Sequence, residues 1–355
     1  MKNIMLLLWI VMTLLSCATS NKLYNPDALL PKDEKAVIDS IHLERLWTSH
    51  SPVLDIKGID HYLVLLLGNK DTIFQVIDSS NDSIIAQFGQ IGHARNEFLK
   101  FPEIVYCVRG NDSAPLLCVQ EELCTKIIDL RKSITANQCI VVDVVKETNN
   151  SLFHHIYHLG DDQLFVYKTL SYEDPRDEIY EAPEFFIAGN GSNRWSIFPR
   201  VIKPQYTNIV DCAYYSDISI SPDAKHLLCL QCFLDMMTIF DISNNKATGI
   251  INPKSYTLEF LESKITESNV QGELIWYNTS SCATDQHFLV IEDGGLYTKD
   301  RRADPSLVCG YDWDGHLRFK YMLDQRIAKI AYSEDNQMMY AVNFENELYR
   351  YKIDR

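Results

Sequence analysis

Positive charge is scarce in this chain. Against 48 Asp and Glu its 355 residues carry 33 Lys and Arg, a formal net charge of −15. No basic stripe offsets that balance, and a surface of this sign repels phosphate backbones, so DNA and RNA are not expected as partners. Enzyme signatures are missing as well: there is no G-x-S-x-G elbow, no H-E-x-x-H, no P-loop and no dinucleotide fingerprint. Helical periodicity is nearly absent. One short segment, Thr257 to Glu267, has helix-like spacing at Leu258, Leu261 and Ile265. The apolar run Ile4 to Met12 falls short of the roughly 20 residues that cross a bilayer. With 46% hydrophobic residues, the chain can still bury a substantial core.

That short run has a different use. Lys2 supplies one positive charge ahead of it, and Leu14-Leu15-Ser16-Cys17 follows it. Charge, apolar stretch and small residue before cysteine occur in the order of a secretory leader. The last four residues resemble the lipobox of bacterial lipoproteins, in which the cysteine thiolate takes a diacylglyceryl group and becomes the new N-terminus. The resemblance implies a signal peptide over 1–16 and lipidation at Cys17. Two or more acyl chains hold a protein stably at a membrane, where one holds it only marginally. Residues 17–36 are polar and broken by Pro26 and Pro31, and read as a lipidated flexible tether. Residues 37–355 then form a single domain. Ala18, rather than Asp, follows the cysteine, which favours the outer membrane. No acidic cluster stands directly behind it, so the periplasmic side is expected rather than the cell surface.

With Cys17 taken by lipid, nine cysteines remain: Cys107, Cys118, Cys124, Cys139, Cys212, Cys229, Cys232, Cys282 and Cys309. Nine is odd, so at least one stays unpaired. Cys229 and Cys232 have the C-x-x-C spacing of metal and redox sites, but they fall in a strand-like run, His226 to Phe233, where positions three apart face opposite ways. Buried cysteine there acts as a small hydrophobe. No metal or cofactor is expected.

Short β-like runs separated by turn residues fill the rest. Val53 to Ile56, Tyr62 to Leu67, Ile73 to Ile77 and Ser83 to Phe88 form one set of four, a size that fits one propeller blade. The pattern returns at Ile104 to Val142 and Leu152 to Ala188. It is clearest at Tyr214 to Asp241, where Ser221-Pro222-Asp223 marks a type I turn. It closes at Leu307 to Ile353, where Asp314-Gly315 sits in a hairpin turn. Asp312-Trp313-Asp314-Gly315 lacks the downstream ligands of a calcium loop. The run Ala36 to Leu46 is expected to pair with the C-terminal strands around Leu348 to Ile353 and so close the ring.

The stretch from Phe88 to Phe98, FGQIGHARNEF, resembles the blade-joining motif of NHL-like and TolB-like six-bladed propellers. Phe88, Gly89, Gly92, Glu97 and Phe98 match it, while Ala94 and Arg95 stand where Gly and Pro are usual. With the lipobox, the chain is similar to the TolB-like propeller lipoproteins of bacteria. The resemblance implies an all-β fold of six four-stranded antiparallel blades; a seventh would need the stretches 169–210 and 243–285.

Candidate ligand contacts follow from that placement. The loop Gly89 to Asn96 is expected near a channel mouth, where His93 and Arg95 could meet an anionic or carbonyl-bearing ligand. Glu97 is expected to tie down backbone N–H groups. His154 and His158 share a face of one strand but lie about 13 Å apart, too far for one ion to bridge, so hydrogen bonding to a ligand is the role weighed for them. The expected function is binding of a partner protein or envelope ligand through one propeller face by a monomer. The alternative is a hydrolase or lyase acting on a glycan or small molecule in the channel. Missing motifs weigh little against that alternative, because propeller enzymes assemble sites from separate blades.

Overall fold

The computed structural model describes residues 26–33, 38–102, 104–110, 112–121, 124–146, 154–159, 164–168, 184–188, 194–196, 216–232, 234–252, 275–296 and 304–353. Three strands come first: β1 (Ala28–Pro31), β2 (Ile38–Ile41) and β3 (Glu44–Thr48). A first meander follows, β4 (Val53–Ile59), β5 (Tyr62–Leu67), β6 (Phe74–Asp78) and β7 (Ser83–Phe88). The second is β8 (Ile104–Arg109), β9 (Pro115–Glu121), β10 (Cys124–Asp129) and β11 (Val141–Lys146), with helix α1 (Leu130–Ala136) before its last strand. The third is β12 (His154–His158), β13 (Leu164–Lys168), β14 (Glu184–Ala188) and β15 (Arg194–Ser196). The fourth is β16 (Ser216–Ile220), β17 (His226–Gln231), β18 (Met236–Asp241) and β19 (Lys246–Ile251). Next come β20 (Ile275–Ala283), β21 (His287–Leu296), β22 (Leu307–Asp312) and β23 (Leu317–Leu323). The last are β24 (Lys329–Ser333), β25 (Met338–Val342) and β26 (Glu347–Lys352).

Each meander is a small antiparallel sheet. The inner strands β4, β8, β16, β20 and β24 neighbour one another in a closed circuit. These five packed blades make an all-β propeller, one blade fewer than the six expected. The reason lies between β8 and β16, which meet directly: the Arg109 N–H donates to the Pro222 carbonyl at 2.7 Å. The sheet β12–β15 is a further four-stranded meander. It is tied to β8 by the Tyr106 hydroxyl, which accepts the His158 N–H at 2.7 Å.

Hydrophobic clusters sit at the seams between sheets. Phe74, Phe88, Phe98, Leu117 and Val119 fill the seam between the first two sheets, and Leu65, Ile77, Tyr340 and Leu348 fill the one between the first and last. Inner strands approach closely there. A Cβ on Gly58 of β4 would collide with the Tyr332 carbonyl of β24, so only glycine fits.

The N-terminal strands finish three sheets in succession. β1 adds in parallel to β19 and β2 in parallel to β23. β3 pairs antiparallel with β26, Leu348 opposite Trp47 and Arg350 opposite Glu44. The expected closure is therefore made by 44–48, whereas 38–41 joins the preceding sheet. Arg350 clamps the seam, its guanidinium paired with both oxygens of Glu44, at 2.8 and 3.1 Å, and with Asp82.

Residues 28–31 lie within the stretch expected to be a flexible tether, yet they form a strand. Backbone pairing with β19 is one cause. The other is Lys32, whose ammonium is buried between Asp235 at 2.6 Å and Glu292 at 3.0 Å. Burial would lower the Lys32 ammonium, but Glu292 and Asp235 override it and hold it above the usual lysine range. The helix expected over Thr257 to Glu267 falls outside the described residues. Helix α1 was not anticipated. Its seven residues are set by end chemistry, the Asp129 carboxylate accepting the Lys132 N–H at 2.9 Å and Asn137 closing the far end in the left-handed region.

Two outcomes follow. Phe98→Ala, which empties the first seam, should cost about 3–5 kcal/mol in urea unfolding. Deleting residues 347–355 removes the partner of β3 and should abolish cooperative thermal unfolding. An unchanged melting temperature would show that the ring does not depend on this closure.

Candidate functional site

The two ends of the ring differ. At one end, turns lead from each inner strand to the next strand, and their polar groups interlock around the channel. Arg109, the last residue of β8, donates from Nε to Asp60 at 2.9 Å and from Nη1 to Asp285 at 2.5 Å. Asp285 also accepts the Asp223 N–H at 3.0 Å, and its own N–H goes to Glu334 at 3.0 Å. Ser333 returns the circuit by donating its hydroxyl to the Asp60 carbonyl at 3.3 Å. All five blades take part. The planar guanidinium fork suits this bridge, since it serves two carboxylates in fixed geometry.

Further inside, charged side chains from separate blades face one another. Lys57 of β4 lies 3.0 Å from Asp55 on the same strand. On β16, Asp217 accepts from the Ser281 N–H at 2.7 Å and the Ser281 hydroxyl at 2.6 Å. Burial would lower the Lys57 ammonium, but Asp55 and Asp217 hold it above its ordinary range. Burial would likewise raise the Asp55 carboxyl, yet Lys57 and Lys329 hold it below the usual carboxylate range. Burial pushes the Cys282 thiol up to about 12 and the Cys107 thiol higher. These groups are thus fixed as ion pairs and neutral thiols at neutral pH. Among the described groups around the channel, Glu334 is the one acid raised, by its burial and then by Asp285. None of these residues was singled out from the sequence as a candidate. They come from strands far apart in the chain, and alternation on a single strand does not show which neighbours they meet.

At the opposite end, the joining loop is built as a rigid platform. Gly89 has φ +80°, a backbone conformation that favours glycine, where Phe74 and Phe98 crowd it. The Gly92 N–H donates to the Phe98 carbonyl at 2.8 Å, and the Phe98 N–H to the Gln90 carbonyl at 2.9 Å. A side chain on Gly92 would strike the Glu97 carboxylate. That carboxylate accepts the Ala94 N–H at 2.8 Å and the Gln90 side-chain amide at 2.6 Å, which with the His93 N–H hold it below the usual glutamate range. Phe98 is fully buried, edge-on to Phe74 at 5.6 Å and beneath the Lys126 ammonium at 4.8 Å.

His93 and Arg95 project from this loop into solvent. They lie on the loop between β7 and β8, whereas the histidine strand is β12. His158 lies on β12, its backbone held by Tyr106, and burial lowers its imidazole. His154 is on the same strand. Cys17 falls outside the described residues. Cys229 and Cys232 are buried, unbridged thiols, and of the other six described cysteines all but the half-buried Cys124 are buried too. Asp312, Asp314 and His316 bring ligand atoms within 4.8 Å of one another. Asp312, however, is engaged by its own turn and by Arg318, its carboxylate accepting the His316 N–H at 2.9 Å.

Substituting Lys57→Met leaves Asp55 and Asp217 without their shared cation, and should destabilise the fold by roughly 3 kcal/mol in urea. The pH dependence should change with it. A carboxyl held low in the folded state contributes stability above its unfolded pKa, which is lost as pH falls through the folded value. Wild-type stability should therefore fall below about pH 4 more steeply than that of the variant. Parallel curves would show that this pair is not coupled to folding.

No protein-family model matches the chain, and no curated protein matches it. Solved structures do. A member of the DUF4221 family from Bacteroides vulgatus aligns with a TM-score of 0.55 at 11% identity, covering 90% of this chain and 98% of that one. A luciferin-regenerating enzyme aligns with a TM-score of 0.45 at 10% identity, covering 87% of this chain and 94% of that one. At 11% identity the first likeness shows the fold alone: this chain shares its β-propeller architecture with the DUF4221 structure.

Proposed function

We propose that this chain is an exported lipoprotein whose propeller binds a partner protein or envelope ligand through one end of its ring. The diacylglyceryl group sits on Cys17, and the anchor holds the protein at the periplasmic side of the outer membrane. In this reading the ring is related to the TolB-like and NHL-like propellers, with β12–β15 as a further sheet beside its five packed blades. That sheet is held by the packing of Tyr157 on Tyr106, with ring centroids 5.4 Å apart.

The observation that carries the binding reading is the contrast between the two ends. One is closed by the Arg109 bridge and the paired charges behind it. The other displays large apolar side chains to solvent, Leu99 with 64% exposure foremost. Function in propellers resides in such loops on a rigid frame.

Two measurements test it. Growth with labelled palmitate should mark the wild-type protein and leave Cys17→Ala unlabelled. A cross-linked pull-down from native membranes should recover a stoichiometric partner that the Cys17→Ala form loses. Equal labelling of both forms would remove the anchor from this reading.

A further inference from the structure

We propose that the β12–β15 sheet is a proton-released flank of the ring, docked at neutral pH by the end of β12 and freed when His158 takes up a proton. Release of this kind goes beyond the binding reading above and stands without the lipid anchor.

Two features give the sheet a docked and a freed state. The first is that the five-bladed circuit closes without it: β8 and β16 meet directly, and the Arg109 N–H donates to the Pro222 carbonyl at 2.7 Å. Freeing β12–β15 therefore opens no seam between those blades. The second is the manner of its attachment, at the end of β12 against β8. The His158 N–H donates to the Tyr106 hydroxyl at 2.7 Å, and the Tyr157 ring packs on the Tyr106 ring with centroids 5.4 Å apart. Tyr157 and Leu159, on either side of His158, are buried. A join made by one hydrogen bond and a few apolar contacts opens locally before the packed blades do.

His158 sits at this join in surroundings that suit only its neutral form. Its Nε2 is buried with no hydrogen-bond partner among the described residues. A neutral imidazole carries one N–H, whereas imidazolium carries an N–H on both nitrogens, and a buried N–H without an acceptor is costly. The groups around it offset little of that. Tyr106 on β8 and Cys118 opposite it on β9 stay neutral, since burial holds the phenol well above its ordinary range and pushes the thiol up to about 12. Asp143 on β11 is the carboxylate that opposes burial. It is exposed, however, and already accepts the Val144 N–H at 2.8 Å. Burial prevails and lowers the His158 imidazole. In the freed sheet water solvates the imidazolium, and the ordinary value of about 6.5 returns. A histidine held low when docked contributes docking stability that is complete above its free value and is lost as pH falls below it. Release therefore begins below about pH 6.5, well above the range near pH 4 where the Asp55–Lys57 pair fails.

Amide hydrogen exchange on the full chain, corrected for the intrinsic pH dependence of exchange, tests this at about pH 7.5 and about pH 5.5. We expect β12 amides to lose protection at least about fivefold on acidification, while those of β5 keep theirs. His158→Gln, which does not titrate in this range, should hold β12 equally at both pH values. Tyr106→Phe keeps the ring and removes the accepting oxygen, and should lower β12 protection at both. A proton NMR titration of the wild-type imidazoles needs no variant: His158 should titrate below His93, which is exposed on its loop. Equal protection of wild-type β12 at both pH values, the same pH dependence in His158→Gln, or a parallel loss in β5 would each overturn this release. So would unchanged protection in Tyr106→Phe, or a His158 titration at or above that of His93.

Discussion

Arg109 is the contact on which the arrangement of the ring turns. A propeller has no central core; each sheet must be held to the next, and the seams filled by Phe74, Phe98, Leu65 or Tyr340 join blades pairwise only. One guanidinium at the channel mouth reaches both Asp60, on the neighbouring first sheet, and Asp285, on the sheet beyond β16 in the circuit. Its backbone joins β8 directly to the turn after β16. Because a buried charge is tolerated only with partners, the bridge obliges the surrounding turns to present carboxylates, and they do so while also accepting one another's N–H groups. The same bridge closes that mouth and leaves the other end to carry exposed apolar surface.

The fold was legible in the sequence where turn chemistry was strong. Ser221-Pro222-Asp223 separates β16 from β17, and Asp314-Gly315 falls in the β22–β23 turn, as their residue types require. The FGQIGHARNEF stretch forms the expected kind of joining loop, with Glu97 on backbone N–H groups. Boundaries failed where local signals were weak or competed. β19, Lys246–Ile251, contains Gly249 and lacks a clear alternation, and β20 carries two register shifts that break its period. Asp129 and Asn137 turned a stretch between strands into a short helix by capping alone.

The candidate site was less legible for a different reason. Asp55, Lys57 and Asp217 are ordinary polar residues on ordinary strands, and their chemistry exists only once separate sheets are brought together. Lys32 looked like part of a solvated linker, since nothing local shows that Asp235 and Glu292 await it.

The belt formed by β1, β2 and β3 has a consequence for the order of events in synthesis. The first residues of the fold to leave the ribosome complete sheets whose other strands are made long afterwards, those of β19, β23 and β26 in turn, with Glu44 meeting Arg350 across nearly the whole chain. The sheets of β19 and β23 can close once those strands are made, but the sheet of β26 cannot finish until the last residues are released, so the ring stays open-edged until then. The ring is thus the last thing to close, however early its other sheets have formed.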